Sequence, residues 1–355
     1  GAVAFLMAEI IGVPYIQVCI AAAIPAIIYF ASIFMQVDSE ALRHDLRGVS
    51  KDEVPPWREL GIGFLQFFGP VVWMVWRLFD NYSPARVALE TIVFVMAITL
   101  VRRRGRIKLQ EIIDACYGSI KTNFVVAAGA AAGGMIVGII ALTGVGAKFS
   151  ALILSMAGNN MFFALFLTAV VAILLGLAMN ITPSYILVAA LAGPALITGG
   201  IAPMSAHLFM VYYAVTASIT PPVAMTAFTA ATIAGADPMA TGWRGFRLAI
   251  AAYIVPFCFV YRPALINFAP FDLFATAEAV VLSVAALYAL ISAMDKTLTG
   301  GKLLARLLLG IAFVTLMIPD NYLLSAVGLV ILAGVWYWDY LWRKAGNSIR
   351  MTESF

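Results

Sequence analysis

Long apolar segments alternate with short charged ones along the whole 355-residue chain. An α-helix rises about 1.5 Å per residue, so roughly 20 apolar residues cross a hydrocarbon core about 30 Å thick. A transmembrane β-barrel would instead show segments of about ten residues with alternating apolar and polar positions. The pattern predicts an all-α polytopic membrane protein, with crossings at residues 15–37, 60–79, 83–101, 123–141, 160–178, 183–199, 244–261, 271–293, 303–318 and 322–342.

The charged residues fall mainly between these segments and indicate an orientation. Loops 38–59 and 102–108 are rich in Lys and Arg, whereas the turn 79–83 has neither, so we expect both loops in the cytoplasm. Residues 60–101 then form a helical hairpin that crosses out and back. Residues 107–121 have an apolar face and a charged one, which is typical of an amphipathic helix at the membrane interface.

Composition supports this fold class. Hydrophobic residues make up 63% of the chain and charged residues 11%, against about 45–50% and 25% in soluble domains. The net charge is +4, but the basic residues lie in orienting loops, so no nucleic-acid partner is expected. The expected surroundings are a lipid bilayer.

A short motif occurs twice. Residues 4–12 read AFLMAEIIG and residues 227–235 read AFTAATIAG, with an offset of 223 positions. A predicted crossing follows each copy, and the basic residues come after the crossing 15–37 but before the crossing 244–261. The two units therefore have opposite predicted topology. Inverted repeats of this kind are an architecture of many secondary transporters, with the binding site at the repeat interface.

Two apolar stretches are interrupted by proline and small polar residues. The first break spans 176–185 and contains Pro183, and the second spans 216–222 and contains Pro221-Pro222. Residues 203–217 and 222–235 are too short to cross separately, which predicts a re-entrant hairpin. Irregular backbone at membrane depth is tolerated where protein or a water-filled cavity covers it. The alternative is a pair of proline kinks whose Ser and Thr side chains bond back to their own helix.

The breaks supply hydroxyl, amide and carbonyl oxygens, which are ligands for hard cations such as Na⁺. Helices that restart after Pro183 and Pro222 would present free N–H groups to an anion. The predicted substrate-binding residues are Asn180, Thr182, Ser184, Ser218, Thr220 and Thr226. The predicted Na⁺ ligands, partly through backbone groups, are Gly176, Asn180, Thr182, Ser218 and Thr220.

Several motifs resemble the large membrane subunit of tripartite ATP-independent periplasmic (TRAP) transporters, most closely the TAXI subtype. They are Ser218-Ile219-Thr220-Pro221-Pro222-Val223-Ala224, Ala234-Gly235-Ala236-Asp237-Pro238, Gly242-Trp243-Arg244-Gly245-Phe246-Arg247, Ile254-Val255-Pro256-Phe257 and Tyr261-Arg262-Pro263-Ala264-Leu265. Residues 4–20 resemble the stretch after the family's first hairpin tip, and residues 271–342 resemble a C-terminal extension of TAXI-type fused permeases.

The resemblance implies a Na⁺-driven importer of small organic acid anions in the cytoplasmic membrane of bacteria or archaea. A transport domain with two helical hairpins would move like an elevator, and a periplasmic substrate-binding protein would deliver the substrate without ATP. The family usually has Gly-Leu-Pro-Thr-Thr at the first break, where this chain has Met179-Asn180-Ile181-Thr182-Pro183. Residues 1–12 match only the end of the first hairpin. We therefore expect a missing N-terminal part, including the small membrane subunit, to be needed for transport.

These readings divide the chain into four predicted parts. Residues 1–37 are the remnant of the first hairpin and its following helix, 38–122 the scaffold and arm helices, 123–265 the second repeat, and 266–355 the C-terminal extension. A membrane-embedded enzyme is disfavoured because the chain has two His residues, no H-E-x-x-H motif and no facing carboxylates in its crossings. A channel or a structural membrane subunit remains the alternative to a secondary transporter.

Overall fold

The computed structural model describes residues 2–44, 56–80, 82–102, 108–158, 160–267, 272–294, 303–319 and 321–344. Within these ranges the chain is helical, with no strand. The helices are α1 (Ala2–Ile11), α2 (Tyr15–Arg43), α3 (Trp57–Phe79), α4 (Pro84–Arg102), α5 (Leu109–Thr143), α6 (Val145–Ala157), α7 (Met161–Ala178), α8 (Ile181–Thr198), α9 (Pro203–Thr216), α10 (Met225–Ala234), α11 (Pro238–Leu248), α12 (Val255–Tyr261), α13 (Leu273–Met294), α14 (Leu303–Met317) and α15 (Tyr322–Lys344). The all-α polytopic fold is confirmed.

Among the described residues, four helices, α2, α7, α8 and α13, are long and apolar enough to cross a membrane. Two more crossings result if each of two bent pairs counts as one span: Ala127–Thr143 with Val145–Ala157, bent by 78°, and Pro238–Leu248 with Ile250–Tyr261, bent by 57°. Much of the basic loops, at residues 45–55 and 103–107, lies outside the described residues.

Helix α5 corrects the predicted boundary between an interfacial helix and a crossing. The interfacial helix expected at 107–121 and the crossing expected at 123–141 form one continuous helix of 35 residues. No proline interrupts this stretch, so nothing in the backbone forces a break there. The helix ends instead at Gly144, whose φ of 65° suits glycine, and α6 follows at once. Helix α6 was not predicted.

The predicted hairpin at 60–101 is present as α3 and α4, which pack against each other. Arg77 on α3 makes two hydrogen bonds to the carboxylate of Glu90 on α4, Nε to Oε2 at 2.7 Å and the second at 3.0 Å. Arg86 donates to the same carboxylate at 3.0 Å. A bidentate Arg–carboxylate pair fixes geometry as well as charge, so it sets the register of the two helices.

The two arms of the predicted re-entrant hairpin, 203–217 and 222–235, correspond to α9 and α10, with a break between them. The main packing partner of α10 is α11. Gly242 on α11 allows the close contact, because a Cβ there would lie 3.2 Å from the Phe228 ring, whereas a Cβ at Gly245 would make an ordinary contact with Ala227 at 3.8 Å. The small residue at position 242 lets the helix axes approach closely.

The repeated motif has the same local structure in both copies. Helices α1 and α10 each end before a glycine with positive φ, 76° at Gly12 and 64° at Gly235. The residue after each glycine donates its N–H to the carbonyl of an alanine five positions earlier: Val13 to Ala8 at 3.0 Å, and Ala236 to Ala231 at 2.9 Å. This is the hydrogen bond of a Schellman cap. The next helices begin at Tyr15 and Pro238, again 223 positions apart. The opposite topology of the two copies stays a prediction.

One apolar core joins the two repeat units. It contains buried residues of α1, α2, α7, α8, α9, α12 and α13, among them Met7, Tyr185, Phe209 and Phe259. The helices α13, α14 and α15 pack on one another in sequence, and α13 also packs on α2. The four predicted domain ranges stay a prediction, because the units share this core.

Candidate functional site

The two breaks meet at Gly176, near the end of α7. A Cβ placed on this glycine would lie 2.4 Å from the Cβ of Ala217 at the second break and 3.4 Å from the Oγ of Ser184 after the first. Real carbon atoms do not approach to 2.4 Å, so only glycine fits here. Gly176 thus brings together two segments that are distant in sequence, and we call this meeting point the junction.

The first break is short. Met179 is extended, with φ −137° and ψ 164°, and Asn180 precedes the first turn of α8 without a side-chain hydrogen bond to that turn. The helix starts at Ile181, two residues earlier than predicted, with Pro183 inside its first turn. Proline is tolerated there because the first N–H groups of a helix have no intrahelical partner. Pro183 packs against α5, where Cβ atoms on Gly129 and Gly133 would lie 3.5 and 3.4 Å from it.

The predicted polar residues of the first break differ in exposure. Asn180 is exposed, whereas Thr182 and Ser184 are buried. The Ser184 N–H donates to the Asn180 carbonyl at 3.1 Å, but its Oγ has no hydrogen-bond partner within the described part of the chain. A buried hydroxyl without a partner costs about 1–3 kcal/mol. Groups of this kind occur where a ligand supplies the missing bond, and Ser184 lies beside the junction.

The second break is longer. Helix α9 passes into a 3₁₀ turn at Ala217–Ile219, and α10 starts only at Met225, after a cis peptide bond between Pro221 and Pro222. The sequence suggested that the helix restarts at Pro222, but it restarts only at Met225. The hydroxyl of Ser218 donates to the Val215 carbonyl at 2.7 Å, and that of Thr220 donates to the Thr216 carbonyl at 2.8 Å. A hydroxyl that gives its hydrogen to a carbonyl keeps lone pairs, so each of these oxygens can still accept a further contact.

Two tyrosines at the second break were missed by the sequence analysis. The Oη of Tyr253 lies 2.7 Å from Thr220 Oγ1, and Tyr213 Oη donates to the Tyr253 carbonyl at 2.5 Å. Tyr253 ends a 3₁₀ turn, Ile250–Tyr253, which directly follows the bend in the predicted crossing 244–261. Pro256, three residues further on, is the sequence signal that could have indicated irregular backbone in this segment.

Other polar candidates take no part in the junction's described contacts. Thr226 lies exposed in the first turn of α10. His207 on α9 is buried and its Nδ1 is 2.9 Å from the Tyr185 hydroxyl, so it is a satisfied buried group. In the described residues no three His, Cys, Asp or Glu side chains cluster as metal ligands. A cation at the junction would therefore bind to hydroxyl and carbonyl oxygens.

Comparison with known proteins agrees with this architecture. Residues 1–272 match the family model described as the tripartite ATP-independent periplasmic transporter, DctM component. The match includes both copies of the repeat and both breaks, and it ends before α13. No curated protein and no solved structure gives a significant match. Since the family model covers more than half of the chain, the protein belongs to the DctM family, the large membrane component of TRAP transporters.

Proposed function

We propose that this chain carries a small organic acid anion across the bacterial or archaeal cytoplasmic membrane by coupling it to Na⁺. The observation that carries the proposal is the junction, where two helix breaks meet at Gly176 beside a buried hydroxyl that has no partner. Both breaks lie in the second predicted repeat unit, and discontinuous helices of this kind hold substrate and coupling ion in many secondary transporters.

The two breaks offer different chemistry. At the second break, the hydroxyls of Ser218 and Thr220 give their hydrogens to carbonyl groups, so they offer lone pairs, which bind a cation. At the first break, the Ser184 hydroxyl still has its hydrogen to give, and the first turn of α8 has no side-chain cap from Asn180. Donors of this kind bind a carboxylate. We therefore assign Na⁺ to the second break and the carboxylate to the first, with Asn180 and Thr182 contributing to either.

Access to the junction requires movement. Ser184 is fully buried, so a ligand reaches its hydroxyl only when the segments packed around it move apart. Such a change fits alternating access, and the family's elevator-like motion is the form we propose. We further propose that a TAXI-type periplasmic substrate-binding protein delivers the substrate, and that the chain works together with the small membrane subunit.

The test is uptake of labelled C4–C5 dicarboxylates into proteoliposomes that contain the complete transporter with its substrate-binding protein. We expect saturable uptake that requires both the binding protein and an inward Na⁺ gradient. Matched vesicles with K⁺ in place of Na⁺ serve as the control. Uptake that does not saturate would favour a channel, and saturable uptake that is equal in Na⁺ and K⁺ would contradict the assignment of Na⁺ to the second break.

A further inference from the structure

Tyr253 connects two irregular parts of the fold. It is the last residue of the 3₁₀ turn Ile250–Tyr253, and the segment Ile250–Tyr261, which contains this turn and α12, is bent by 57° relative to α11. From this bend its side chain reaches the second break, where the Oη lies 2.7 Å from Thr220 Oγ1 and 3.2 Å from the Thr216 carbonyl oxygen. The bend and the break are therefore linked by a side chain, although these residues are 33 and 37 positions apart.

The link is reciprocal. The buried Tyr213, one turn before the end of α9, donates its hydroxyl hydrogen to the backbone carbonyl of Tyr253 at 2.5 Å. The α9 side chain thus holds the backbone of the bend, while the Tyr253 side chain holds the backbone of α9. The Tyr253 ring also packs edge-on against Phe246, with 5.4 Å between the ring centroids. Replacing Tyr253 by Phe would remove the hydroxyl and keep this packing.

The Thr220 hydroxyl, the Tyr253 hydroxyl and the Thr216 carbonyl form a triad, and the two hydroxyl hydrogens can be arranged within it in two ways. Thr220 can donate to the Thr216 carbonyl while Tyr253 donates to Thr220, or Thr220 can donate to Tyr253 while Tyr253 donates to the carbonyl. In both arrangements the carbonyl receives a hydrogen and Thr220 Oγ1 keeps a free lone pair. In the second arrangement it keeps both. The triad can therefore admit a cation at Thr220 without leaving the carbonyl unsatisfied.

We propose that Tyr253 is a positioning residue that ties the bend between α11 and α12 to the second break and so sets the affinity for the coupling ion at Thr220. The proposal rests on the assignment of Na⁺ to this break. Since coupling between two sites is reciprocal, ion binding at Thr220 also stabilises the bend. Binding of the ion at Thr220 then affects the bend between α11 and α12, which lies outside the second break.

The test is Na⁺-dependent uptake by the complete transporter with Tyr253→Phe. We expect the Na⁺ concentration for half-maximal uptake to rise about fivefold, the effect of one lost hydrogen bond, with maximal uptake at saturating Na⁺ retained. Tyr213→Phe should also raise the half-saturating Na⁺ concentration, but by less. Tyr212→Phe is the matched control, because Tyr212 also lies on α9 but its ring packs edge-on against Phe259. In a Thr220→Val background, Tyr253→Phe should have no further effect.

A second measurement does not depend on Na⁺ coupling. With Cys19 and Cys116 replaced by Ser, a Ser218→Cys reporter should react with a maleimide several times faster in the Tyr253→Phe protein than in the Tyr212→Phe protein. Equal labelling in the two proteins, or a fall in maximal uptake with no change in half-saturating Na⁺, would overturn the inference. Wild-type uptake without Na⁺ dependence would instead overturn the proposed function. Faster labelling of the Tyr253→Phe protein would then still show that Tyr253 holds the second break in place.

Discussion

The two breaks differ in how they use their hydroxyl groups. The first is a change of backbone direction over two residues, and it leaves the buried Ser184 hydroxyl without a partner among the described residues. The second extends from the 3₁₀ turn at residue 217 to the start of α10. Its hydroxyls bond back to carbonyls of α9, and Tyr253 reinforces them from another segment.

The difference shows that proline alone does not decide the chemistry of a break. Back-bonding of Ser and Thr, which the sequence offered as the alternative to a binding site, is present at the second break and absent from Ser184. It does not exclude a cation, because a hydroxyl that donates its hydrogen to a carbonyl still has lone pairs to offer. Three substitutions test the contact between the breaks, the proposed substrate binding at the first break and the proposed Na⁺ binding at the second.

The largest effect is expected from Gly176→Ala, which would force the two breaks apart. The new Cβ would lie 2.4 Å from Ala217, and overpacking of this kind costs about 1–3 kcal/mol. We expect a lower thermal unfolding midpoint in detergent and loss of uptake. Gly138→Ala is the control, since its Cβ would meet no atom within 4 Å. Equal stability and uptake in the two variants would mean that the contact is not needed.

Ser184→Ala should weaken substrate binding without lowering stability. Removing a buried hydroxyl that has no partner should not destabilise the protein, whereas losing a hydrogen bond to a carboxylate should raise the half-saturating substrate concentration by about tenfold or more. Half-saturating Na⁺ should change little. The matched variant is Ser150→Ala, because the buried Ser150 hydroxyl donates to the Leu191 carbonyl at 2.8 Å. It should lose about 1 kcal/mol of stability and keep its substrate affinity. If Ser184→Ala lowered stability and left substrate affinity unchanged, Ser184 would not be part of the binding site.

The smallest effect is expected from Ser218→Ala, which removes one neutral ligand of several. Half-saturating Na⁺ should rise about threefold, an effect within the range of one hydrogen-bond-sized contact, while substrate affinity at saturating Na⁺ stays the same. Ser155→Ala is the control, because Ser155 makes the same back-bond on α6, to the Leu152 carbonyl at 2.9 Å. If both variants shift the Na⁺ dependence equally, the effect of Ser218 comes from helix geometry and not from ion binding.

Much of the fold was predictable because local chemistry determines it. The end of α1 at Gly12 and of α10 at Gly235 follows from a glycine that adopts positive φ, and the match between the two nine-residue motifs extends to equivalent cap hydrogen bonds. The positions of both breaks also follow from proline and small polar residues. The expected start of α8 was wrong by two residues because Pro183 fits within a first helical turn.

The candidate site was predictable only in part. Ser184, Ser218 and Thr220 stay predicted site residues, and nothing in the sequence showed that Gly176 would hold the two breaks together or that Tyr253 would reach Thr220. Tyr253 lies in a segment that reads as an ordinary crossing, and its role appears only when the 3₁₀ turn directs its side chain towards α9. The packing of α10 on α11 likewise depends on Gly242 facing the other helix.

The membrane fold, the repeated motif and the places where helices end can be read from the sequence, because backbone sterics and the loss of N–H donors at proline act within a few residues. Which irregular segments meet, which hydroxyls have partners and which helices pack together is seen only in the folded chain. Those outcomes depend on contacts between residues that are tens of positions apart, and such contacts form only when the whole apolar core is assembled.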